Sequence, residues 1–439
     1  MRLRQLKPAP DPEGEPTITQ NIPPALAEAP NAAVPPTSRF GALSDPRYRR
    51  YWVGSMAAVG GIQLVVLAQG WLILNVLGGS PLALGALGGA TAIPTILVTL
   101  FGGVLADRID RRLLLMATTV INGALLLLLA MLDATGVVQI WHVLVLAVVM
   151  GLFQGLDWPA RNAFFPALIE RDQMGSAVAL NSILWQATRI VAPMFGGIVI
   201  AAFNTAAVFF IGAAAFFAMF FVYWTLHVPY VAQIGRRNIA GELREGFSFI
   251  VRKRVFGVMI LLTYAHMLLA LQYVSLMPLV ANNYGVGAEG LGLLFTMVGL
   301  GAVTGTFITL RIKPGRSLGR IMLIGVASAE VLVIGFALAP TYEIALGMLF
   351  LASIGNSVFT INSLTALQMR VPDALRGRVM GIHGIAFSMM PLGGLIGGAV
   401  ASFTDVSVSI ALGGAVMLVP LAFVALTQRE IVELDGTRQ

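Results

Sequence analysis

The sequence predicts an all-helical integral membrane protein with twelve transmembrane helices. The chain has 439 residues, of which 57% are hydrophobic and 11% are charged, and its mean hydropathy is +0.84. A water-soluble domain carries about 25% charged residues, so this chain cannot cover itself with polar surface. Its apolar residues fall into twelve runs, each of about 20 residues or more, which is the length of a helix that crosses a bilayer. Its basic residues lie almost entirely between alternate runs.

The N-terminal segment differs in composition from the rest. Ten of the 22 prolines lie within the first 46 residues, among Ala, Glu, Asn and Thr. A segment with so little apolar surface does not offset the entropy of ordering the chain. We therefore predict a disordered tail over residues 1–50. The aromatic pair Tyr51-Trp52 then marks entry into the bilayer, because aromatic residues favour the membrane interface.

The apolar runs divide into two sets of six around a polar connection. A first bundle is predicted over residues 51–227, with spans at 52–77, 82–106, 112–132, 141–160, 176–202 and 206–227. After a connection at 228–254, a second bundle is predicted over 255–428, with spans at 255–281, 289–310, 320–339, 343–367, 378–402 and 406–427. Residues 429–439 form a C-terminal tail. The runs do not alternate in polarity as barrel strands do, so they are predicted helices.

The distribution of charge predicts the orientation. Of the 28 Lys and Arg residues, all except Arg189 fall in the two tails and in the segments on the same side of the membrane as the tails. Cytoplasmic loops carry the excess of Lys and Arg, so both termini and the 228–254 connection are expected to be cytoplasmic, in a multi-pass protein of the cell membrane. The basic residues are spread over every such loop, so the orientation of the chain explains the net charge of +7. A nucleic-acid partner is not needed to explain this charge.

The two sets of spans share an internal spacing. Asp172 precedes the glycine pair at 196–197 by 24 residues, and Asp373 precedes the pair at 397–398 by the same number. This spacing predicts two pseudo-repeats of six helices in parallel orientation. Such a repeat places a binding site between the halves near the membrane midplane.

The loop after the second span resembles a family signature. Residues 103–112 read Gly-Val-Leu-Ala-Asp-Arg-Ile-Asp-Arg-Arg. This arrangement resembles the signature loop of the major facilitator superfamily, whose positions correspond here to Gly103, Asp107, Arg108, Arg111 and Arg112. The chain departs from the pattern at Asp110, where many members have glycine. The resemblance implies the major facilitator fold, in which the two halves alternate in exposing a central cavity.

Further segments resemble one branch of that superfamily. Residues 157–163, 187–193, 243–247 and 372–381 are similar to the enterobactin-exporter-like branch, also called transmembrane secretion effectors and grouped with drug:proton antiporters. The resemblance implies that Asp107 faces the N-terminus of span 11 and that Arg111 reaches Asp157, closing the cytoplasmic gate. Asp157 and Arg161 are one helical turn apart, so an ordinary local ion pair is the alternative.

Arg189 is the most informative single residue. It lies midway through the fifth span, where a charge costs roughly 2.5–3.5 kcal/mol. It must therefore face protein or water, and it must have a partner or a ligand. Either it attracts an anionic group of a substrate or controls a nearby acid, or it is a permanently paired strut between spans.

Other candidate binding residues follow from the resemblance, because spans 1, 4, 7 and 10 line the cavity in this superfamily. Their polar and aromatic residues are Gln63, Gln69, Gln154, Tyr264, Gln272, Tyr273, Asn356 and Asn362. Such an amphiphilic lining suits bulky organic substrates, and some of these residues are expected to bridge helices instead.

Three residues are candidates for proton coupling. Glu330 is the only acid well inside an apolar run, although span 9 is peripheral in this superfamily, which favours a packing role. Glu289 opens span 8, where a helix N-terminal acid is the commoner explanation. His266 lies in span 7 and is a candidate titrating group, with a core histidine as the alternative.

Several other chemistries are excluded. The chain has no cysteine, which removes disulfides, thiolate metal sites and iron–sulfur clusters. His142, His227 and His383 are scattered, so no metal site is expected. No lysine follows a glycine, so there is no nucleotide-binding loop of the Walker type. No cofactor is expected.

The sequence thus predicts a transporter, not an enzyme, that exports small organic molecules of drug-like or siderophore-like kind. Its expected partners are the substrate, protons and the lipid bilayer, with no nucleic acid or nucleotide. Proton antiport is implied by the resemblance. An uncoupled facilitator or an uptake system of the same fold is the alternative within transport, and a membrane sensor without transport is the alternative from another class.

Overall fold

The computed structural model describes residues 41–227, 239–312 and 317–434, apart from the side chains at 100–108, 171, 239–240, 242–243 and 373–374. Within these ranges there are twelve helices long and apolar enough to cross a membrane, and no strand. The predicted helical fold with twelve spans is confirmed. The predicted disordered tail lies almost wholly outside the described residues, as does most of the stretch before the connection helix.

Each structural span overlaps one predicted run. Spans 1 to 6 are Pro46–Val76, Pro81–Arg108, Arg111–Ala134, Ile140–Phe164, Met174–Ala202 and Thr205–Thr225. Spans 7 to 12 are Arg254–Asn283, Ala288–Leu310, Leu318–Ala337, Tyr342–Arg370, Leu375–Phe403 and Val406–Thr427. A shorter connection helix, Ile239–Arg252, precedes span 7. The short connections between spans make consecutive helices run in opposite directions.

Three spans depart from regular α-helix. Span 1 ends in a π-helical turn at Leu72–Val76, and span 7 contains one at His266–Ala270. Span 11 is interrupted by a 3-10 turn at Ile385–Ser388. A π-turn inserts an extra residue into the helix and is often found at functional sites.

At both ends of the described chain, packed residues lie beyond the predicted boundaries of the two bundles. Span 1 begins at Pro46, capped by Asp45, instead of after residue 50. Its first turn carries Tyr48, which is 1% exposed and donates a hydrogen bond to the carbonyl of Ala177 on span 5. At the other end, Leu434 is buried and its carbonyl accepts from the amide of Gly319. Burial of these apolar side chains orders segments whose sequence looks polar.

The bundle has two ends that differ in charge. We call the end that contains residues 108–111, 164–174, 310–312, 317–318 and 370–375 the basic end, because the loops rich in arginine lie there. The opposite end contains the connections at 76–81, 134–140, 202–205, 283–288, 337–342 and 403–406. The assignment of the basic end to the cytoplasm stays a prediction.

Two glycine-rich seams join the first six spans to the last six. In the first seam, span 2 packs on span 11, and a Cβ atom at Gly85 would lie 2.9 Å from the carbonyl oxygen of Gly394. In the second seam, span 5 packs on span 8, and a Cβ at Gly292 would lie 2.7 Å from the carbonyl oxygen of Pro193. Only glycine allows helices to approach this closely.

Both seams lie in the half of the bundle nearer the opposite end. Gly85 is one turn from the start of span 2, and Gly292 one turn from the start of span 8, both at that end. Gly70 of span 1 meets Pro278 of span 7 at the same end. The close approaches between the two halves therefore lie toward the opposite end, and we interpret the space between the halves on the side of the basic end as a crevice.

The connection helix is attached to the second half. Gly246 approaches Arg378 of span 11, and Arg378 donates a hydrogen bond of 2.6 Å to Glu245. Part of the predicted connection is therefore a helix that covers the basic end of span 11.

Candidate functional site

Arg189 lies on the face of span 5 that borders the crevice. On this helix Thr188 faces Gly60 of span 1, whereas Ile190 and Pro193 face span 8. At about 100° per residue, Arg189 projects between these two contact faces. Its side chain is exposed, and no carboxylate within the described ranges pairs with it. A permanently paired strut, the alternative left open by the sequence, therefore has no partner acid in this part of the chain.

Two tryptophans that the sequence analysis did not select as site residues stand beside Arg189. Trp185 precedes Arg189 by one helical turn, so the two share a face of span 5. The Trp185 ring contacts Trp158 of span 4 edge-on, with ring centroids 5.4 Å apart and planes at 68°. Trp158 is 52% exposed. Together these side chains form a basic and aromatic wall on the first half of the molecule.

Span 4 presents the same wall through Gln154 and Trp158. On this helix Gly151 and Gly155 face span 2, and Asp157 faces Thr118 of span 3. Gln154 and Trp158 lie between these contact faces, and both are exposed. That Gln154 contacts substrate stays a prediction.

Several other predicted lining residues are turned into the protein. Gln272 is 4% exposed, and its amide donates to the carbonyl of Ser409 on span 12 at 3.1 Å. The expectation that Gln272 contacts substrate is wrong for this structure, because the small residues Gly397 and Gly413 leave a slot into which its side chain packs. Asn362 is likewise buried and donates to the carbonyl of Val358.

The remaining candidate lining residues are less exposed than Arg189 and Gln154. Tyr264 is half-buried, and its hydroxyl donates to the carbonyl of Ile382 on span 11. Gln63 is half-buried on span 1, and Gln69 is 7% exposed. These side chains are adjacent to the crevice but are not as open as Arg189.

Tyr273 and Asn356 form one pair behind the crevice wall of the second half. The amide of Asn356 donates to the Tyr273 hydroxyl at 3.4 Å, and both residues are buried. The Tyr273 ring packs against Phe336 of span 9, with ring centroids 6.0 Å apart. Tyr273 therefore joins span 7 to spans 9 and 10 within the second half.

The structure brings two of the proton-coupling candidates together. Nδ1 of His266 lies 3.4 Å from Oε1 of Glu330, and both side chains are fully buried. Phe359 of span 10 packs against the imidazole, with ring centroids 4.6 Å apart. Within the described part of the chain neither side chain has a regular hydrogen-bond partner. A buried acid beside a buried imidazole can hold or release a proton only as a coupled pair.

The third candidate for proton coupling, Glu289, lies apart from this pair. It is exposed in the first turn of span 8, at the opposite end, where span 5 packs close by at Gly197. Its place at a helix N-terminus agrees with the commoner explanation given above.

The gating residues of the first half form ion pairs and helix caps. Oδ2 of Asp157 lies 2.9 Å from a guanidinium nitrogen of Arg161, and Thr118 donates to Oδ1 of Asp157 at 3.1 Å. The local pair that the sequence left as an alternative is thus present. Arg111 donates to the carbonyl of Ala163 at the end of span 4. Arg112 donates to carbonyls at the end of span 6.

These contacts place positive charge at the negative ends of two helices. Gly103 lies within the span 2 helix. The side chains of Asp107 and Arg108 lie outside the described residues, as does that of Asp373 at the start of span 11. The expected contact between Asp107 and span 11 stays a prediction. No group of three or more potential metal ligands was found where side chains are described.

Two comparisons with known sequences agree with the motif analysis. The family model described as "Transmembrane secretion effector" matches residues 37–437. The enterobactin exporter EntS of Escherichia coli O1:K1 is 28% identical over 305 residues, which cover 67% of this chain and 72% of that protein. The protein of the same name from Shigella boydii serotype 18 shows the same identity and coverage.

Solved structures share the fold. A bacterial homologue of the human lysosomal transporter Spinster, inward-facing and unoccupied, superposes with a TM-score of 0.71 at 14% identity, covering 90% of this chain and 99% of that one. The nucleoside transporter NupG superposes with a TM-score of 0.67 at 13% identity, covering 87% and 99%. These relatives and structural neighbours are transporters, not enzymes.

Proposed function

This chain belongs to the transmembrane secretion effector family of major facilitator transporters, and on that premise we propose that it exports small organic molecules across the inner membrane in exchange for protons. The observation that carries this proposal is the exposed Arg189, unpaired with any described acid, in a crevice closed at the opposite end. The direction of transport rests on the relatives, whose names describe them as exporters.

Alternating access follows from the two glycine seams. Closing the crevice at the basic end requires the seams between spans 2 and 11 and between spans 5 and 8 to open at the opposite end. The seams consist mainly of close approaches at glycine, with a hydrogen bond from Thr296 to the carbonyl of Ile190 across the second seam. No ion pair joins the described side chains of either seam. With the basic end in the cytoplasm, as the positive-inside rule predicts, the crevice admits substrate from the cytoplasm.

In this proposal, His266 and Glu330 bind and release the proton that is exchanged for substrate. Tyr273 follows His266 by seven residues on span 7. Its ring packs against Phe336, which follows Glu330 by six residues on span 9. Phe359 and Gly414 contribute only apolar or backbone surface. Tyr273 is our candidate for a residue that links protonation of this pair to substrate binding, because it shares span 7 with His266 and packs on span 9, the helix of Glu330.

Substrate-induced proton movement in proteoliposomes tests this function. The full chain is reconstituted with a lumenal pH dye, a pH gradient is imposed, and lipophilic drugs and catecholate siderophores are added in turn. Antiport predicts that one of them discharges the gradient. Glu330→Gln should abolish this discharge, whereas Glu343→Gln, which changes an exposed acid at the opposite end, should not.

Two other outcomes have definite meanings. If substrate crosses without proton flux in the unmodified protein, coupling is wrong and an uncoupled facilitator takes its place. If no compound of the panel crosses although the protein is folded, export of these substrate classes is wrong.

A further inference from the structure

The wall formed by Trp158, Trp185 and Arg189 combines a positive charge with two aromatic rings. Arg189 is the one charged side chain that the structure places on the middle of the crevice surface among the described residues. Asp157 is neutralised by Arg161, Glu330 is fully buried, and Glu289 lies at the opposite end. The field in the middle of the crevice is therefore positive, and it favours a negatively charged ligand.

The two tryptophans supply the second element of recognition. Trp158 leaves 52% of its surface exposed and stands edge-on to Trp185. Aromatic rings prefer edge-on or offset partners, and such contacts add to the free energy of simple burial. An exposed indole inside a crevice, beside a second indole, is suited to a flat aromatic ring.

The spacing sets the size of the ligand. Trp185 and Arg189 are four residues apart on one helix, which places them about 6 Å apart along its axis. A ring that contacts the indoles and an anionic group that reaches the guanidinium can thus belong to one small molecule. An anion bound by a guanidinium receives short, charge-assisted hydrogen bonds.

We propose that Trp158, Trp185 and Arg189 form a binding site for aromatic anions, compounds in which a planar ring carries a carboxylate or a similar negative group. The proposal rests on the exporter function proposed above and specifies its substrate class. Organic cations are excluded by the same arrangement, because Arg189 repels them and no described acid in the middle of the crevice attracts them.

Equilibrium binding to the full chain in detergent tests the site without any gradient. The probe is radiolabelled 1-naphthoate, measured by scintillation proximity. Three unlabelled competitors separate charge from shape: 1-naphthalenemethanol is aromatic and neutral, 1-naphthylmethylammonium is aromatic and cationic, and cyclohexanecarboxylate is anionic and not aromatic. We expect 1-naphthoate to bind. The neutral and cationic analogues should compete at least about tenfold less well than unlabelled 1-naphthoate, because they lose the hydrogen bonds between an anion and Arg189. Cyclohexanecarboxylate keeps the anion but cannot pack a flat ring on the indoles, so it should compete about threefold less well or worse.

Variants locate the site. Arg189→Gln should weaken binding of 1-naphthoate by about tenfold or more, Arg189→Lys should restore part of it, and Trp158→Leu should weaken 1-naphthoate more than cyclohexanecarboxylate. Arg320→Gln and Trp141→Leu change an exposed arginine at the basic end and an exposed tryptophan at the opposite end, and they should have no effect. Size-exclusion profiles confirm that each variant is folded.

The outcomes for the site and for the exporter function differ. The site is refuted if 1-naphthoate does not bind, if the neutral or cationic analogue binds as well, or if Arg189→Gln and Trp158→Leu bind like the controls. If binding follows the expected pattern but 1-naphthoate discharges no pH gradient in proteoliposomes, the site stands and proton antiport fails.

Discussion

His266 of span 7 and Glu330 of span 9 face each other in the interior of the second half, with 3.4 Å between Nδ1 and Oε1 and no exposed surface on either side chain. They lie 64 residues apart in the sequence with the whole of span 8 between them, and they meet where spans 7, 9 and 10 pack beside Phe359. The π-turn that begins at His266 sets the direction of the imidazole. A buried pair of this kind makes each partner depend on the other.

Measurements of protein stability can test whether His266 and Glu330 stabilise each other. Glu330→Ala leaves a buried imidazole without its acid, and we expect it to destabilise the folded protein by about 3 kcal/mol or more. The double variant His266→Leu with Glu330→Met replaces the pair by apolar side chains of similar volume and should recover most of that loss. Thermal unfolding in detergent gives the measurement. A double variant less stable than Glu330→Ala would contradict the account of the pair.

We expect Tyr273 to couple substrate binding to proton movement. Tyr273→Phe removes the hydroxyl that accepts from Asn356. We expect substrate binding to persist while the substrate-induced pH signal is lost. The matched control is Tyr284→Phe, which removes a hydroxyl bonded to Ala339 at the opposite end. An unchanged pH signal in Tyr273→Phe would exclude a role for this hydroxyl in coupling.

The glycine seams should control the conformation of the bundle. Gly88→Ala adds a Cβ that collides with the carbonyl oxygen of Pro391, whereas Gly347→Ala adds one into open space. Since a backbone carbonyl cannot move aside alone, Gly88→Ala should separate spans 2 and 11 at the opposite end.

Spin labels can report that separation, because the chain has no native cysteine. Labels attached through Ser80→Cys and Ser402→Cys flank the first seam at exposed positions. The distance between them should lengthen in Gly88→Ala and stay unchanged in Gly347→Ala. Identical distance distributions in both backgrounds would show that the seam does not hold the opposite end closed.

Buried and exposed ion pairs should differ in their contribution to stability. Asp157→Ala leaves Arg161, which is 7% exposed, without its carboxylate, and we expect a loss of about 3 kcal/mol or more. Glu245→Ala breaks the exposed pair with Arg378 and should change stability by about 1 kcal/mol or less. Unfolding temperatures of the two variants, measured side by side, decide the point. Equal losses would mean that Asp157 contributes only as a surface charge does.

The spans and the family could be predicted from the sequence because they depend on composition and on residues close together in the chain. Twelve apolar runs of bilayer length specify twelve helices whatever their packing. The signature at 103–112 identifies the superfamily because its residues are close together in the chain. The boundaries of the tails were less accessible, since burial of Tyr48 and Leu434 depends on distant segments.

The candidate site was accessible only in part. Arg189 stands out because a charge within an apolar run is costly, and the structure exposes it as expected of a binding residue. Gln272 has the same kind of position in the sequence, yet it packs into a slot that Gly397 and Gly413 provide. The sequence of one helix does not show which other helix each residue faces. Polarity alone therefore did not distinguish the exposed Arg189 from the buried Gln272. Trp185 could have been found from its position one turn before Arg189.

What the sequence by itself determined is therefore the number of membrane helices and the family, together with one conspicuous charge. These features follow from hydrophobicity and from residues near one another in the chain. Only the tertiary structure decided that His266 meets Glu330, that Trp158 meets Trp185 beside Arg189, and that the crevice is closed at the opposite end. Each of these contacts joins different helices. Inside a bilayer, where lipid is as apolar as most side chains, helix packing is set by small residues and close fit, which hydrophobicity does not encode.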